Sequence, residues 1–202
     1  MRIIYTQIEV RDRKGNVAGI DPLPADKTPQ WASDVNQEDQ PSWESPVPAG
    51  EPYFADPIPF VIPPSGASEE PFHSHNHCPA VTWCENGDLL AAWFSTERES
   101  GTEMTIIASR MRAGVENWEP AAEFFNAPDR NMTGTALFHD GEGTLYHING
   151  MGPEGEEGWE NLALLMRTSD NNGATWTLPR PISSGAHYQR RHQVIAGTSI
   201  TP

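Results

Sequence analysis

One pattern of turns and apolar runs occurs twice in this chain, and that duplication limits the fold more than any other feature. In the first copy, Pro79 to Trp83 reads as a short strand and Asn86-Gly87-Asp88 as a turn. Leu89 to Phe94 and Met104 to Met111 follow as second and third strands, and Trp118 opens a fourth. The second copy runs from Thr133 to Phe138, through Asp140-Gly141-Glu142-Gly143, to Thr144–Ile148, Leu162–Arg167 and Trp176–Ile182. Gly87 aligns with Gly143 at an offset of 56 positions and Trp118 with Trp176 at 58. That length suits a four-stranded propeller blade with its loops. Arg191 to Ala196 reads as the innermost strand of a third unit, just before the sequence ends at Thr201-Pro202. Propellers close with about four to eight blades. The pattern therefore predicts a partial propeller, whose remaining blades belong to a longer chain and whose open edges favour marginal stability or self-association.

Composition agrees with an all-β fold: 19 prolines, 17 glycines and 37% hydrophobic residues favour short strands and many turns. Ahead of the repeats, Ile3 to Val10 and Val17 to Ile20 flank Lys14-Gly15-Asn16, a plausible β-hairpin over residues 1–20. From Asp21 the chain turns to Pro, Glu, Ser and Ala, with eight prolines between Pro41 and Pro64. Residues 21–71 therefore read as an extended connector or wrapping arm, and 72–202 as the blades. The formal charge of −15 repels phosphate backbones and anionic lipid, which argues against a nucleic-acid partner. An anionic sugar would need a local arginine cluster to overcome the same field. No stretch reaches membrane-spanning length, and the opening residues lack the apolar core and cleavage site of an export signal. The compartment stays open, an exported parent (periplasmic or extracellular) included. Cys78 and Cys84 stand six positions apart in one expected strand, roughly 20 Å from each other, too far to pair.

The segment Ser169-Asp170-Asn171-Asn172-Gly173-Ala174-Thr175-Trp176 resembles the aspartate box of sialidases and related BNR-repeat propellers, Ser-x-Asp-x-Gly-x-Thr-Trp. Asn171 stands where the family usually has Asp, keeping an acceptor for the turn without its charge. Gly173 supplies a permissive backbone and Trp176 a ring to bury between sheets. The resemblance implies that Ser169, Asn171, Gly173, Thr175 and Trp176 are structural, in the turn between a blade's third and fourth strands and away from the active centre. Ser109 to Trp118 keeps Ser109, Gly114 and Trp118 without the spacing, a degenerate version of the same turn.

The first copy, from His77-Cys78-Pro79-Ala80-Val81 to Thr96-Glu97-Arg98-Glu99, is similar to the opening blade of sialidase-like proteins. The family's first strand starts with an arginine where this chain has His77, so one member of the usual arginine triad is missing. The resemblance implies Arg98 as a substrate-binding arginine, Glu99 as the acid-base carboxylate, and a Tyr nucleophile beyond Pro202. Arg190 and Arg191 precede another inner strand and join the substrate-binding candidates. Trp159 follows the glycine-rich loop Met151 to Gly158 and is a candidate platform for a sugar ring. Trp83 and Trp93, inside strands, read as core.

His73, His75 and His77 alternate, so an extended backbone points all three to one side, where they can bind a metal or place a base. His77 is taken as catalytic with Glu99, and no metal or cofactor is assigned. Asn131-Met132-Thr133 matches a glycosylation sequon and is read as incidental. The expected function is an exo-acting glycoside hydrolase of the sialidase-like superfamily, acting on a glycan or oligosaccharide. The alternatives are a uronate-polysaccharide lyase using His and Tyr, or a non-catalytic glycan-binding propeller.

Overall fold

The computed structural model describes residues 10–11, 17–18, 28–38, 52, 54, 56–67, 71–152 and 162–183. β1 (Val10–Arg11) and β2 (Val17–Ala18) pair antiparallel, Val10 opposite Ala18 and Arg11 opposite Val17, where the sequence predicts a hairpin. Two four-stranded antiparallel sheets follow. The first is β3 (His75–Trp83), β4 (Leu89–Thr96), β5 (Thr105–Met111) and β6 (Ala122–Phe125), in that spatial order. The second is β7 (Thr135–His139), β8 (Leu145–Met151), β9 (Ala163–Ser169) and β10 (Arg180–Ser183), again in sequence order. The chain is thus all-β, and its two sheets are successive β-propeller blades. The expected third inner strand at Arg191 to Ala196 lies outside the described residues.

The strand registers reproduce the repeat. Leu89 pairs with Met111 in the first sheet, and Leu145 with Ser169 in the second, which carries the offset of 56 on the hairpin and 58 on the third strand. Both hairpin turns close in the same way. Cys84 N–H donates to Asp88 O at 2.8 Å and Asp140 N–H to Thr144 O at 3.1 Å, with Gly87 at φ 85° and Gly143 at φ 94°. An L side chain would be strained at either glycine.

Two expectations are corrected. The fourth strands begin at Ala122 and Arg180, four residues beyond Trp118 and Trp176. Glu119 N–H first bonds Arg110 O, and Thr177 N–H bonds Thr168 O, after which Pro120 and Pro179 interrupt the ladder because they carry no N–H. The same pair of hydrogen bonds places Met111, not Ser109, opposite the role of Ser169. Ser109 instead uses its hydroxyl to bond Glu119 O. The first sheet therefore has no counterpart of the box serine.

Strand β4 is the centre of the first blade, buried from Leu90 to Thr96. Alternate residues serve two cores, as period 2 requires. Leu90, Ala92 and Phe94 face the second sheet, in a core with Met104, Ile106, Ala108, Phe124, Met132 and Leu145. Ala91 and Trp93 face the other way, against Ile107, Ala121, Phe60, Val61, Phe72 and Trp118. The proline-rich arm covers both sides. Phe60 meets Trp93 edge to face at 4.9 Å, and Ala121 N–H bonds Ile62 O. On the inter-sheet side, Trp31 in the 3-10 turn Gln30–Ala32 packs edge-on to Phe124 at 5.0 Å and donates from Nε1 to Glu123 O. Trp93 is fully buried, as the sequence predicts. Trp83 is not: it is 48% exposed at the end of β3, an edge strand of its sheet.

Candidate functional site

Antiparallel pairing fixes which side chains share an end of the sheets. His75 stands opposite Thr96 and His77 opposite Phe94, so the start of β3 lies beside the β4–β5 loop that carries Arg98 and Glu99. The aspartate-box turn, between β9 and β10, lies at the other end, near the β3–β4 turn. Asn172 Oδ1 accepts from Asn86 N–H there at 3.1 Å.

At that second end the box is a closed hydrogen-bonded turn. Gly173 N–H donates to Ser169 Oγ at 3.0 Å, and Ser169 Oγ–H to Asn171 Oδ1 at 2.9 Å. Asn171 Oδ1 also accepts from Thr175 N–H at 2.9 Å, while its Nδ2 donates to Thr175 Oγ1 at 2.8 Å. Asparagine thus does what an aspartate would, plus one donation that aspartate cannot make. Trp176 Nε1 donates to Gly173 O, and its ring meets Phe124 edge-on at 5.2 Å.

At the first end, His77 Nδ1 and Glu99 Oε1 are 2.7 Å apart, and His75 Nε2 is 3.4 Å from the same oxygen. A residue step of two puts both imidazoles on one strand face. Phe94 backs them: the His75 ring is parallel to it (interplanar 2°, centroids 6.0 Å) and the His77 ring perpendicular at 5.5 Å. His73 does not join them. Its N–H bonds Ser95 Oγ at 2.8 Å, and it lies outside the donor group formed by His75, His77 and Glu99. Directly after His77 the strand bulges, with Cys78 at φ 52° before Pro79. A left-handed residue ahead of proline is costly, and such bulges re-aim side chains beside functional sites. Burial, then the Glu99 charge, push the Cys78 thiol up from its ordinary pKa.

The Glu99 loop is held by two residues that sequence reasoning missed. Glu103 Oε1 accepts from Thr96 Oγ1 (2.8 Å), Glu97 N–H (3.1 Å) and Arg98 N–H (3.1 Å). Burial opposes its ionisation, but these donors and its own amide outweigh that and hold its carboxyl below the usual range. Gly101 makes room for it, since a Cβ there would fall on the Glu103 carboxylate. Asn131, 1% exposed, donates from Nδ2 to Glu99 O (2.7 Å) and Gly101 O (3.0 Å), and its backbone pairs with Gly152. The sequon asparagine is therefore a buried clamp between the loop and the second sheet. The signal in the sequence was the acid and glycine in the loop between two apolar runs. Arg98 is exposed on that loop, its carbonyl accepting from Gly101 N–H. Trp159, Arg190 and Arg191 lie outside the described residues.

The arrangement can share a proton between an imidazole and a carboxylate at a partly exposed surface: His77 is 55% exposed and Glu99 34%. No curated protein sequence matches the chain. Similar solved structures include Zg3597, a family 117 glycoside hydrolase of the marine bacterium Zobellia galactanivorans, at 11% identity and a TM-score of 0.40, covering 50% of this chain and 37% of that one. Another is the Penicillium chrysogenum alpha-L-arabinanase complexed with arabinobiose, at 16% identity and a TM-score of 0.39, covering 57% of this chain and 34% of that one. The chain spans about a third of the length of each. The family described as BNR repeat-like domain matches residues 87–199, more than half of the sequence. With two blades in one register and a box turn between the third and fourth strands of the second, the chain belongs to the BNR repeat-like domain family.

Proposed function

We propose that this chain carries part of the active site of a carbohydrate-active, exo-acting glycoside hydrolase of the sialidase-like superfamily, with His77 and Glu99 as its proton-transfer pair. The 2.7 Å contact between His77 Nδ1 and Glu99 Oε1, at the end opposite the structural box, carries the reading. The pair protonates the glycosidic oxygen as its bond to the anomeric carbon breaks, and then takes a proton from the water that replaces the leaving sugar. Arg98, on the same loop, contributes to holding the sugar, and Trp159, Arg190 and Arg191 complete the substrate contacts. Residues 72–202 form the blade region in this reading, residues 1–20 a hairpin and 21–71 an arm, with further blades of a longer chain as partners.

A panel of aryl glycosides and uronate oligosaccharides tests it in the full-length parent. Glu99→Gln and His77→Ala lower kcat by about 10²–10⁴-fold, while Arg98→Ala acts mainly on KM. Unchanged turnover in all three variants sinks the proposal. His77 standing where the family places an arginine favours one second reading, a uronate lyase in which the imidazole takes a proton from carbon. Unsaturated, ultraviolet-absorbing products would identify that reaction.

A further inference from the structure

We propose that His75, His77 and Glu99 form a binding site for a zinc-type divalent cation. The inference uses the residues of the preceding reading but stands on their donor geometry alone. One donor atom from each of the three lies within 4.8 Å of the other two. Two imidazole nitrogens and one carboxylate oxygen match the three-ligand sets that hold zinc with one position open to solvent. Nitrogen donors disfavour calcium and magnesium, which take oxygen ligands.

Three observations set this group apart from a chance surface cluster. First, His75 Nε2 is buried with no hydrogen-bond partner among the described residues, as are His73 Nε2 and His139 Nε2, and it stands 3.4 Å from Glu99 Oε1 in the donor group that His73 does not join. That separation is too long for a good hydrogen bond, but ligand bonds of about 2.0–2.1 Å at tetrahedral angles put donors roughly 3.3–3.4 Å apart. Second, the ligands come with supports: Phe94 backs both imidazoles, and Asn131 grips Glu99 through its carbonyl. The ring packing restricts the imidazole planes, and the Asn131 bond fixes the backbone from which the Glu99 carboxylate extends. Third, the Cys78 bulge ends the histidine face directly after His77, so the run of alternating residues does not continue past the group.

A dication on two neutral imidazoles and one carboxylate leaves a local charge of about +1. That is the local positive centre an anionic sugar needs on a chain of net charge −15. A cation held by His77 Nδ1 and Glu99 Oε1 replaces any proton between them and requires their 2.7 Å separation to open to roughly 3.3–3.4 Å.

The experiment is a zinc titration of the chain against a chromophoric chelator, with no sugar present. One zinc per chain is expected. Glu99→Gln, close in shape to the native residue, and His77→Ala each weaken binding by about 100-fold or more, since even outer-shell losses cost 10–100-fold. His73→Ala leaves binding unchanged. Absence of stoichiometric binding overturns the proposal. So does a His73→Ala loss equal to that of His77→Ala with Glu99→Gln silent, because the metal would then sit on a loose histidine tract. Zinc occupancy is read without turnover, so it stands or falls separately from the hydrolase reading.

Discussion

Each sheet buries one arginine in the face it turns toward the other, and the lost hydration of the two is replaced by different means. Arg110 of β5 reaches across to Asn172 O at 2.7 Å, and Arg167 of β9 reaches back to Phe124 O at 2.8 Å. Arg110, fully buried, has a carboxylate: Asp88 Oδ2 at 2.8 Å, with Trp31 O on Nε at 2.7 Å. Arg167 has neutral hydrogen-bond partners among the described residues. Its Nε donates to His147 Nδ1 at 2.9 Å, and its guanidinium lies over Phe124 (4.3 Å), Phe125 (4.5 Å) and Trp176 (5.3 Å). Burial lowers its pKa to about 9. The first arrangement replaces lost hydration with a counter-charge, the second with ring quadrupoles and carbonyl dipoles, which return less. Both tie blade to blade, so the interface is held by cross-sheet carbonyl contacts as well as by its apolar core.

The contrast predicts unequal costs. Asp88→Asn keeps the shape but leaves Arg110 without its charge partner, and should lower unfolding stability by about 3–5 kcal/mol in denaturant melts. Arg167→Met leaves His147 Nδ1 and Phe124 O short of a donor but also removes a buried cation, for a net loss of about 1–3 kcal/mol. Equal losses in the two variants would break the comparison and show that rings and carbonyls compensate a buried guanidinium as well as a carboxylate does.

Gly173 sharpens the comparison from the side of the box turn. Its φ is 78°, and a Cβ would stand 3.1 Å from Arg110 Nη2 and 3.2 Å from Leu90 Cδ2. Gly173→Ala therefore strains the backbone and presses on the Arg110 contact, costing about 1–2 kcal/mol. If the loss shrinks in an Asp88→Asn background, turn and ion pair act as one unit.

The blades are legible because their signals are local: Asn86-Gly87-Asp88, Asp140 to Gly143 and Ser169 to Trp176 set turns by glycine conformation and short-range side-chain hydrogen bonds, and the spacing between them sets the repeat. The starts of β6 and β10 differ from the expected ones because a proline two positions after Trp118 and three after Trp176, not the tryptophan, decides where the ladder can begin. Glu99 is a candidate by resemblance and His77 by the alternation of histidines, but their meeting depends on the β3–β4 register. The partners that hold them were hidden. Asn131 is a glycosylation sequon on paper, and only the second sheet's approach makes it a clamp. Arg110 and Arg167 gave no sign of burial, because nothing local reports which face of a strand another sheet will cover.

The smallest effect concerns pH. His147, fully buried, accepts from Arg167 at Nδ1, so its Nε2 carries the hydrogen that it donates to Thr135 Oγ1 at 2.8 Å. Burial, and then the Arg167 charge, hold its pKa well below the ordinary 6.5. The unfolded chain therefore takes up a proton near pH 6.5 that the folded chain refuses. This contribution is present in full above that value and is lost as pH falls below it. The loss approaches at most about 1.4 kcal/mol per pH unit. His147→Asn keeps an acceptor for Arg167 and cannot titrate, so its unfolding free energy should fall less steeply between pH 6.5 and 5.5 than that of the parent chain. Identical slopes would mean that His147 takes a proton in the fold, which requires the cation beside it to move, and the second arginine would then be the more mobile of the two.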